Sequence, residues 1–324
     1  MKIYRDKDAD VSLIGDKSIV IVGYGNQGAA FAANLRDSGL NVSVALQEKS
    51  TSISRAIEDG FPVISNEDAC SADMIFLMIP DHKHGEFYDE YLDNRLKRSQ
   101  ALVFAHGYSI HFKLIIPPKG VRCLLVAPHG PGRDLRSRYV EGSGLSCFIA
   151  GYPVNSGMSL KIALAVSKAC GCTCAGAFKT TFEHETLGDL FGEQALLCGG
   201  LSSLTKAVFD ILVRNGMPPE NAYLETAHQL RLLADLLQKG GIVGMMEKIS
   251  ETAQFGTVVA EKAVANDKLF IELQKLYDNI VSGDFASSWM REYKSGYPAI
   301  TEYVKRIRSS QFEKTSHKMR RRVP

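Results

Sequence analysis

The length and composition of the chain are those of an ordinary globular protein with two domains. Its 324 residues carry 38 Lys and Arg against 36 Asp and Glu, a formal charge of +2, and 45% of them are hydrophobic. This balance excludes a disordered or fibrous chain. Apolar runs such as 19–22 and 74–79 are much shorter than the ~20 residues that cross a bilayer, and residues 1–10 are too charged for a signal peptide. We therefore expect a cytoplasmic protein without a membrane partner.

The first half of the chain alternates between strand and helix patterns. Helix patterns at 27–38 and 54–59 are each closed by a glycine, Gly39 and Gly60. Short apolar or β-branched runs predict seven strands, at 17–22, 41–46, 72–79, 101–105, 121–127, 145–150 and 172–178. Such alternation predicts an α/β domain of the Rossmann type, a doubly wound parallel sheet covered by helices on both faces.

The second half carries helix patterns alone. They lie at 187–198, 201–215, 219–238, 244–255 and 267–282, and glycine pairs and a proline pair separate them. We place the boundary at residue 181. The prediction is an N-terminal dinucleotide-binding domain at 1–181 and a C-terminal all-helical domain at 182–324.

The C-terminal segment 301–324 is strongly basic, with eight Lys and Arg against two Glu. A basic tail can bind nucleic acid or an anionic membrane. No aromatic interleaving or recognition motif accompanies this one, so we expect a solvated, partly frayed terminus and no nucleic-acid partner.

The seven cysteines include no CxxC pair, and no histidine stands at zinc-finger spacing. Neither a disulfide framework nor a structural zinc site is expected. Cys170, Cys172 and Cys174 alternate, which places three side chains on one face of a strand. A packed strand of reduced cysteines is the prediction, with metal binding as the alternative.

The sharpest motif is a G-x-G-x-x-G that follows a predicted strand and opens a predicted helix. The first glycine permits a tight turn, the second lets the backbone approach a pyrophosphate, and the third lets the helix pack on the strand. A structural glycine turn is the alternative, but the flanks are those that dinucleotide binding requires. The predicted cofactor contacts in this segment are Gly23, Tyr24, Gly25, Asn26, Gln27 and Gly28.

The choice between NAD and NADP depends on the loop after the second predicted strand. Glu48 lies where a carboxylate holds the NAD ribose and would repel a 2′-phosphate. Lys49, Ser50 and Ser52 in the same loop could instead receive that phosphate. The loop residues do not decide between the two cofactors, and NADP is slightly favoured.

In the second half, Asp189 and Glu193 stand at i and i+4, so a helix would project both carboxylates from one face. Glu225 and Gln229 repeat that spacing on a later helix. Carboxylates converging from two helices form a site for a hard cation, and Mg²⁺ is its natural occupant. Solvated helix carboxylates are the alternative, but Asp189 and Glu193 lie in apolar sequence.

Histidines follow several predicted strands. His106 follows 101–105, where ligands of open α/β sheets bind, and could face the nicotinamide or serve as a core or capping residue. His129 follows 121–127 in a Gly/Pro-rich loop. His82 and His84 are expected in an exposed loop, with a metal pair as the alternative.

Together these segments resemble the ketol-acid reductoisomerase (acetohydroxy acid isomeroreductase) family, in its short class I form with one helical domain. DLFGEQ followed by a cysteine and two glycines is much more specific than a dinucleotide fingerprint. The resemblance covers nearly the whole chain, through GYGNQG at 23–28, FAHG at 104–107, IHF at 110–112, VAPHGPG at 126–132, TTF at 180–182, DLFGEQALLCGG at 189–200, AYLETAHQL at 222–230 and SETAQFG at 250–256.

The resemblance implies a function in branched-chain amino-acid biosynthesis. The family converts 2-acetolactate and its homologue to 2,3-dihydroxy acids, by a Mg²⁺-dependent alkyl migration and hydride transfer from NADPH. Its helical domain is knotted and forms a homodimer, and we expect the same homo-oligomer here.

The resemblance also implies a role for each site residue. Asp189 would bridge two Mg²⁺ ions, Glu193 would complete the first site, and Glu225 would belong to the second. His106 would lie near the migrating centre, and Ser250 would bind the substrate carboxylate. Further expected contacts are His129 in catalysis, Gln229 for the substrate, and Gln47, Ser50, Ser52, Pro80, His106 and Gly132 for the cofactor.

Four departures from the family pattern fall in or near this site. The lysine of VAPKGPG is His129, and a glutamate four residues after Glu225 is Gln229, which removes one negative charge. An arginine after the second strand is Gln47, and the family's ETETD reads ETLGD at 185–189.

These departures leave two alternatives to the reductoisomerase. One is a divergent paralogue that reduces another 2-keto acid or an imine without isomerisation. The other is a regulatory protein that binds NAD(P) without catalysis.

Overall fold

The computed structural model describes residues 2–153 and 157–322. The chain divides into two compact units, Met1–Thr186 and Leu187–Pro324. The sequence-based boundary lies slightly earlier, at residue 181.

The first unit is built on a sheet of nine strands in the order β1-β9-β8-β7-β6-β5-β2-β3-β4. The strands are β1 Ile3–Tyr4, β2 Ser18–Val22, β3 Asn41–Ala45, β4 Val63–Ile64, β5 Met74–Leu77, β6 Ala101–Phe104, β7 Arg122–Pro128, β8 Cys147–Tyr152 and β9 Ala177–Lys179. The six strands from β4 to β7 are all parallel. The strand order reverses between β2 and β5, and ligands of such sheets bind at this switch point.

The sheet is mixed, so the prediction of a fully parallel sheet is wrong at two pairs. β8 runs antiparallel to β7, and β1 runs antiparallel to β9. Cys147 pairs with Pro128, which means that β8 starts at the sheet edge where β7 ends and needs no crossover. The Rossmann-type domain itself is confirmed.

Seven α-helices lie wholly within the described residues of the first unit. They are α1 Asn26–Asp37, α2 Ile53–Glu58, α3 His84–Phe87, α4 Tyr108–His111, α5 Gly132–Val140, α6 Gly157–Ala169 and α7 Cys172–Ala175. The predicted glycine ends of α1 and α2 are present, since Gly39 and Gly60 both have φ of +83°.

The strand predicted at 172–178 is wrong over its first half. Cys172–Ala175 forms one helical turn, bracketed by Gly171 at φ +78° and Gly176 at φ +120°. The three cysteines therefore do not share one face of a strand. Cys170 and Cys172 are fully buried, whereas Cys174 is exposed.

Both faces of the sheet are buried, which explains why its strands are continuous apolar runs. In β2, Ile19 and Ile21 pack into one core cluster, whereas Val20 and Val22 pack into the other. The interior strands β5, β6 and β7 show the same alternation, so they contribute side chains to two apolar layers.

The second unit is helical throughout its described residues. Its helices are α8 Phe182–Gly192, which begins in the first unit, α9 Gly199–Arg214, α10 Pro219–Tyr223, α11 Leu230–Met246, α12 Glu251–Val264, α13 Asp267–Val281, α14 Asp284–Lys294, α15 Pro298–Ser309 and α16 Gln311–Met319. Two π-helical segments, Glu193–Leu197 and Leu224–His228, interrupt the α-helical geometry. The helix predicted at 244–255 is wrong, because Ser250 caps the start of α12 instead.

The basic C-terminus is helical and packed, so the prediction of a frayed tail is wrong. The ring of Phe312 in α16 lies edge-on against Phe209, 5.1 Å between centroids, and Met319 is 6% exposed. Lys318 pairs with Glu220. The amphipathic spacing of α16 thus buries apolar side chains and leaves its basic ones outside.

The described residues include one helical stretch, 182–214, that is long and apolar enough to cross a membrane by length and composition alone. The short runs considered in the sequence did not reveal it. Only 6% of its most apolar window is buried. Its exposed apolar side chains include Leu197, Leu201, Leu204, Val208 and Ile211, and their spacing of three and four residues places them on one helix face.

Candidate functional site

The glycine turn after β2 has the geometry that a pyrophosphate requires. Gly23 has φ of +92°, and a Cβ there would lie 2.8 Å from Cγ2 of Ile79. A Cβ on Gly28 would collide with the carbonyl of Gly23, whereas nothing lies within 4 Å of a Cβ on Gly25. The first and third glycines are therefore required by the fold, and the second leaves open space at the start of α1 for an anionic ligand.

Gln27 ties the start of α1 to the loop after β7. Its Nε2 donates to the carbonyl of Gly130 at 3.1 Å. Gly132, which opens α5, lies so close to the carbonyl of Asn26 that a Cβ would collide with it. The Oε1 of Gln27 is buried and has no hydrogen-bond partner in the described part of the chain. A buried acceptor without a donor fits a site that a cofactor hydroxyl or amide completes.

Tyr24 has a structural side chain. It is 3% exposed, and its hydroxyl donates to Asp59 at 2.8 Å. Burial and the hydrogen bond to Asp59 raise its pKa far above the ordinary value of 10.0. Tyr24 could therefore contact a cofactor only through its backbone.

The loop between β3 and α2 is open to solvent. Gln47, Glu48 and Lys49 are exposed, and Ser50 accepts a hydrogen bond from the backbone N–H of Ser52 at 3.3 Å. The loop has no net formal charge, because the carboxylate of Glu48 and the ammonium of Lys49 cancel.

His106 lies at the carboxyl end of β6 and is held by a residue that the sequence analysis missed. Its Nδ1 is 3.1 Å from both carboxylate oxygens of Glu185, whose side chain is 5% exposed. The backbone N–H of Gly107 donates to Oε2 of the same carboxylate at 2.6 Å. A carboxylate accepts only, so Nδ1 carries the proton and Nε2 is the nitrogen that can accept one.

The glycine after His106 is required by this contact. A Cβ on Gly107 would lie 2.6 Å from the carbonyl of Phe182 and 2.8 Å from Oε2 of Glu185. Any side chain there would displace the carboxylate from the histidine. The sequence signals for Glu185 were its position one helical turn before Asp189 and its place at the start of the segment 185–189.

The two histidines predicted in an exposed loop, His82 and His84, are buried instead, at 7% and 2% exposure. Both follow Pro80, which precedes a short turn after β5. Burial lowers the pKa of each below 6.5, which favours the neutral rings. No metal pair is formed, because both nitrogens of His84 are engaged by Ser109 and the carbonyl of Ile79.

His129 follows β7 and is positioned by the next strand. Its Nδ1 lies 3.0 Å from Oγ of Ser146, and its ring stands edge-on to Phe148 at 4.4 Å. Desolvation lowers its pKa below 6.5, so a neutral ring predominates at pH 7. The residue therefore does not supply the permanent positive charge of a lysine.

The three predicted metal ligands lie in or one turn before the π-helical segments of the second unit. Glu193 opens one segment, one helical turn after Asp189, and Glu225 lies in the other. All three are exposed. Such segments are rare and are frequently found at functional sites.

Gln229 is engaged with its neighbour. Its Nε2 donates to Oε2 of Glu225 at 3.1 Å and to the carbonyl of Leu224 at 3.2 Å. Within residues 2–153 and 157–322 of one chain, no three His, Cys, Asp or Glu side chains are grouped as a metal site requires. The oxygen donors suit Mg²⁺ chemically, but the described residues of one chain do not assemble them around one point.

Ser250 is the N-cap of α12. Its hydroxyl oxygen accepts from the backbone N–H of Ala253 at 3.3 Å. The residue thus stands at the amino end of a 14-residue helix, where a carboxylate is favoured by the helix dipole.

The chain matches known families along both units. Residues 13–176 match a family model described as acetohydroxy acid isomeroreductase, NADPH-binding domain, and residues 182–324 match ketol-acid reductoisomerase, C-terminal domain. The chain belongs to the ketol-acid reductoisomerase family. It is an oxidoreductase of the class that acts on CH–OH groups, and its first unit is an NAD(P)-binding domain.

Solved structures agree with this family. An NADH-preferring ketol-acid reductoisomerase from an uncultured archean is 38% identical, with 99% of each chain covered and a TM-score of 0.94. More distant is a semialdehyde dehydrogenase NAD-binding protein from Cupriavidus necator, at 17% identity, 82% and 99% coverage and a TM-score of 0.62. A 1-pyrroline-5-carboxylate reductase from Streptococcus pyogenes, at 16% identity, 81% and 97% coverage and a TM-score of 0.52, shares the fold alone. The two family-model matches and the 38% identical structure favour the reductoisomerase over the non-isomerising paralogue and the silent regulator.

Proposed function

We propose that this protein converts a 2-acetolactate-type ketol acid to a 2,3-dihydroxy acid in branched-chain amino-acid biosynthesis. An alkyl group migrates from the hydroxyl-bearing carbon to the neighbouring carbonyl carbon, and the 2-keto acid that results is reduced by a nicotinamide. The supporting observation is the match over 99% of both chains to a family member at 38% identity.

Asp189, Glu193 and Glu225 would hold Mg²⁺. When bound, this ion would lower the pKa of the substrate hydroxyl and polarise the neighbouring carbonyl group. In our proposal the Nε2 of His106 exchanges a proton with the substrate, because Glu185 fixes the proton on Nδ1. Ser250, at the amino end of α12, would orient the substrate carboxylate. His129 would donate a hydrogen bond near the substrate, and Gln229 would contact the substrate from the Glu225 side.

A second copy of the chain would complete the cation site. The described residues of one chain do not group three metal-binding side chains, so another source of carboxylates is needed. The exposed apolar face of α9 supplies a surface for that copy: Leu204 is 57% exposed and Ile211 is 55% exposed. A face with this three-and-four spacing pairs with another helix. We therefore propose a homodimer, with this face covered by protein and not by lipid, in the cytoplasm.

NADH is the proposed cofactor, in contrast to the family's usual NADPH. The exposed 47–52 loop contains Glu48 and Lys49, whose charges cancel. Arg55, in the next helix, is already engaged over the ring of Tyr24 and beside Asp59. A 2′-phosphate would therefore meet Lys49 as the loop's one cation, beside a repelling carboxylate.

The proposal is tested by offering purified protein two substrates. One is 2-acetolactate, and the other is the already rearranged 3-hydroxy-2-keto acid, each with Mg²⁺ and with NADH or NADPH. Turnover of both supports the reductoisomerase. Turnover of the rearranged acid alone would leave only a reductase, and turnover of neither would reject the proposed substrate class.

A further inference from the structure

His84 joins two loops of the first unit, although it lies far from the glycine fingerprint in sequence. Its Nε2 is 2.9 Å from the carbonyl oxygen of Ile79, in the turn after β5. Its Nδ1 is 2.8 Å from Oγ of Ser109, in the first turn of α4 after β6. The ring is 2% exposed and tilts against Phe104 at 5.9 Å.

The partners of His84 define its tautomer. A carbonyl oxygen can only accept, so Nε2 must carry a proton. Nδ1 of the neutral ring then accepts from the hydroxyl of Ser109. The nearest titratable groups are Asp81, whose Oδ1 is 3.9 Å from Nδ1, and the two histidines His82 and His106. Burial outweighs Asp81 and lowers the pKa of His84, which keeps both hydrogen bonds in the neutral pattern.

Each loop that His84 holds faces the cofactor side of the sheet. Ile79 packs against the first glycine of the fingerprint, since Cγ2 of Ile79 would be 2.8 Å from a Cβ on Gly23. Ser109 follows His106 and Gly107, whose positions are fixed by Glu185. Both loops leave carboxyl ends of parallel strands, which is where a nicotinamide cofactor binds in this fold.

We propose that His84 is a positioning residue for the nicotinamide half of the cofactor. Its two hydrogen bonds join the Ile79 turn to the loop that carries His106. The ring itself does not contact the cofactor. It fixes the separation of two loops that follow the neighbouring parallel strands β5 and β6. The inference rests on the proposed function for its catalytic consequence, but cofactor binding tests it without substrate or Mg²⁺.

The chain offers a matched control at the opposite sheet edge. Gln100 is also buried, and its Nε2 donates to the carbonyls of Cys70 and Ala72 at 2.8 and 2.6 Å. Gln100 therefore joins the segment that precedes β6 to the segment that precedes β5. These segments lie at the amino ends of the two strands, away from the cofactor. Substitution of Gln100 should reduce stability by a comparable mechanism while leaving the cofactor loops in place.

The experiment measures the Kd for NADH by fluorescence titration, and Tm, for the full-length wild type and for His84→Ala, His84→Gln, Ser109→Ala and Gln100→Leu. We expect His84→Ala to raise Kd about tenfold, the effect of losing two buried hydrogen bonds that hold a loop. Gln can donate to Ile79 and accept from Ser109, so His84→Gln should restore Kd to within about threefold. Gln100→Leu should lower Tm without raising Kd.

Equal Kd values for folded His84→Ala and wild type would overturn the inference, as would a rise in Kd for Gln100→Leu as large as that for His84→Ala. If His84→Ala is insoluble, Ser109→Ala decides. A raised Kd for NADH supports the positioning role of His84, and an unchanged Kd overturns it. If the wild type binds NADH but does not turn over acetolactate, the proposed reaction is rejected, whereas the positioning role of His84 in cofactor binding is not.

Discussion

Glu185 holds His106 with both of its carboxylate oxygens, each 3.1 Å from Nδ1 of the imidazole. One of these oxygens also accepts the backbone N–H of Gly107. The carboxylate thus fixes both the tautomer of the ring and the backbone beside it. In the proposed reaction this arrangement leaves Nε2 to exchange a proton with the substrate.

Glu185→Gln is expected to lower kcat about 10- to 100-fold, the usual cost of removing a group that orients a reacting residue. The amide oxygen can still accept hydrogen bonds from His106 and Gly107, but the negative charge beside the imidazole is lost and an NH₂ group replaces the second acceptor oxygen. The Kd for NADH should change little. Glu183→Gln, two residues earlier and exposed, is the matched control. A Glu185 variant with wild-type kcat would show that the His106 contact has no catalytic role.

Gln229→Glu is expected to tighten Mg²⁺ binding by about tenfold or more, because a second carboxylate would stand beside Glu225. At present the amide donates to Glu225 and occupies one of its lone pairs. Calorimetric titration of Mg²⁺ into the substrate-analogue complex measures this change. Gln229→Leu is the control that removes the amide without adding charge, and equal affinities for both variants would contradict the assignment.

Gln47→Arg is expected to lower the Kd for NADPH about tenfold, since a guanidinium forms charge-assisted hydrogen bonds with a 2′-phosphate. The Kd for NADH should remain within about twofold. Gln47→Leu controls for loss of the amide. Preferred binding of NADPH over NADH by the wild type would contradict the proposed cofactor preference.

Acid should destabilise the first unit more steeply than carboxyl titration alone predicts. Burial lowers the pKa of His82, His84 and His111 below 6.5, so the folded chain binds fewer protons than the unfolded chain just below that pH. The free energy of unfolding therefore falls as pH drops through 6.5. At lower pH, protonation of Asp73 adds to the loss, because the backbone N–H of Ser18 lowers its pKa.

Urea unfolding at pH 7.5 and 5.5 measures this dependence. His84→Gln should reduce the difference between the two pH values, because the glutamine does not titrate. An unchanged difference in that variant would mean that His84 titrates alike in the folded and unfolded states.

Strands and helices were predicted correctly where the residues that determine them lie close together in the sequence. The strand β2 and the helix α1 followed from an apolar run, a glycine turn and a closing Gly39, which act within a few residues of one another. Cys172–Ala175 was mistaken for strand because alternating cysteines imitate a two-residue period. Gly171 and Gly176, which bracket this turn, both have positive φ. These two glycines were a stronger signal for a turn than the alternating cysteines were for a strand.

Long-range contacts could not be derived from local patterns. Glu185 lies 79 residues from His106, and His84 lies 25 residues from Ser109. Polar residues after a strand are usually exposed, so the burial of His84 follows only from the packing of α3 and α4. In the second unit, the helix pattern located Glu193 and Glu225, but neither π-helical segment has a sequence period of its own.

In the proposed reaction the protein moves an alkyl group within the substrate and then reduces the rearranged product. The most direct measurement supplies 2-acetolactate labelled with ¹³C in the methyl group on C2, together with Mg²⁺ and NADH, and follows the label by NMR. We expect a 2,3-dihydroxy acid with the labelled methyl on C3 and one NADH consumed per product. Unchanged acetolactate, or a reduced acid with the label still on C2, would contradict it.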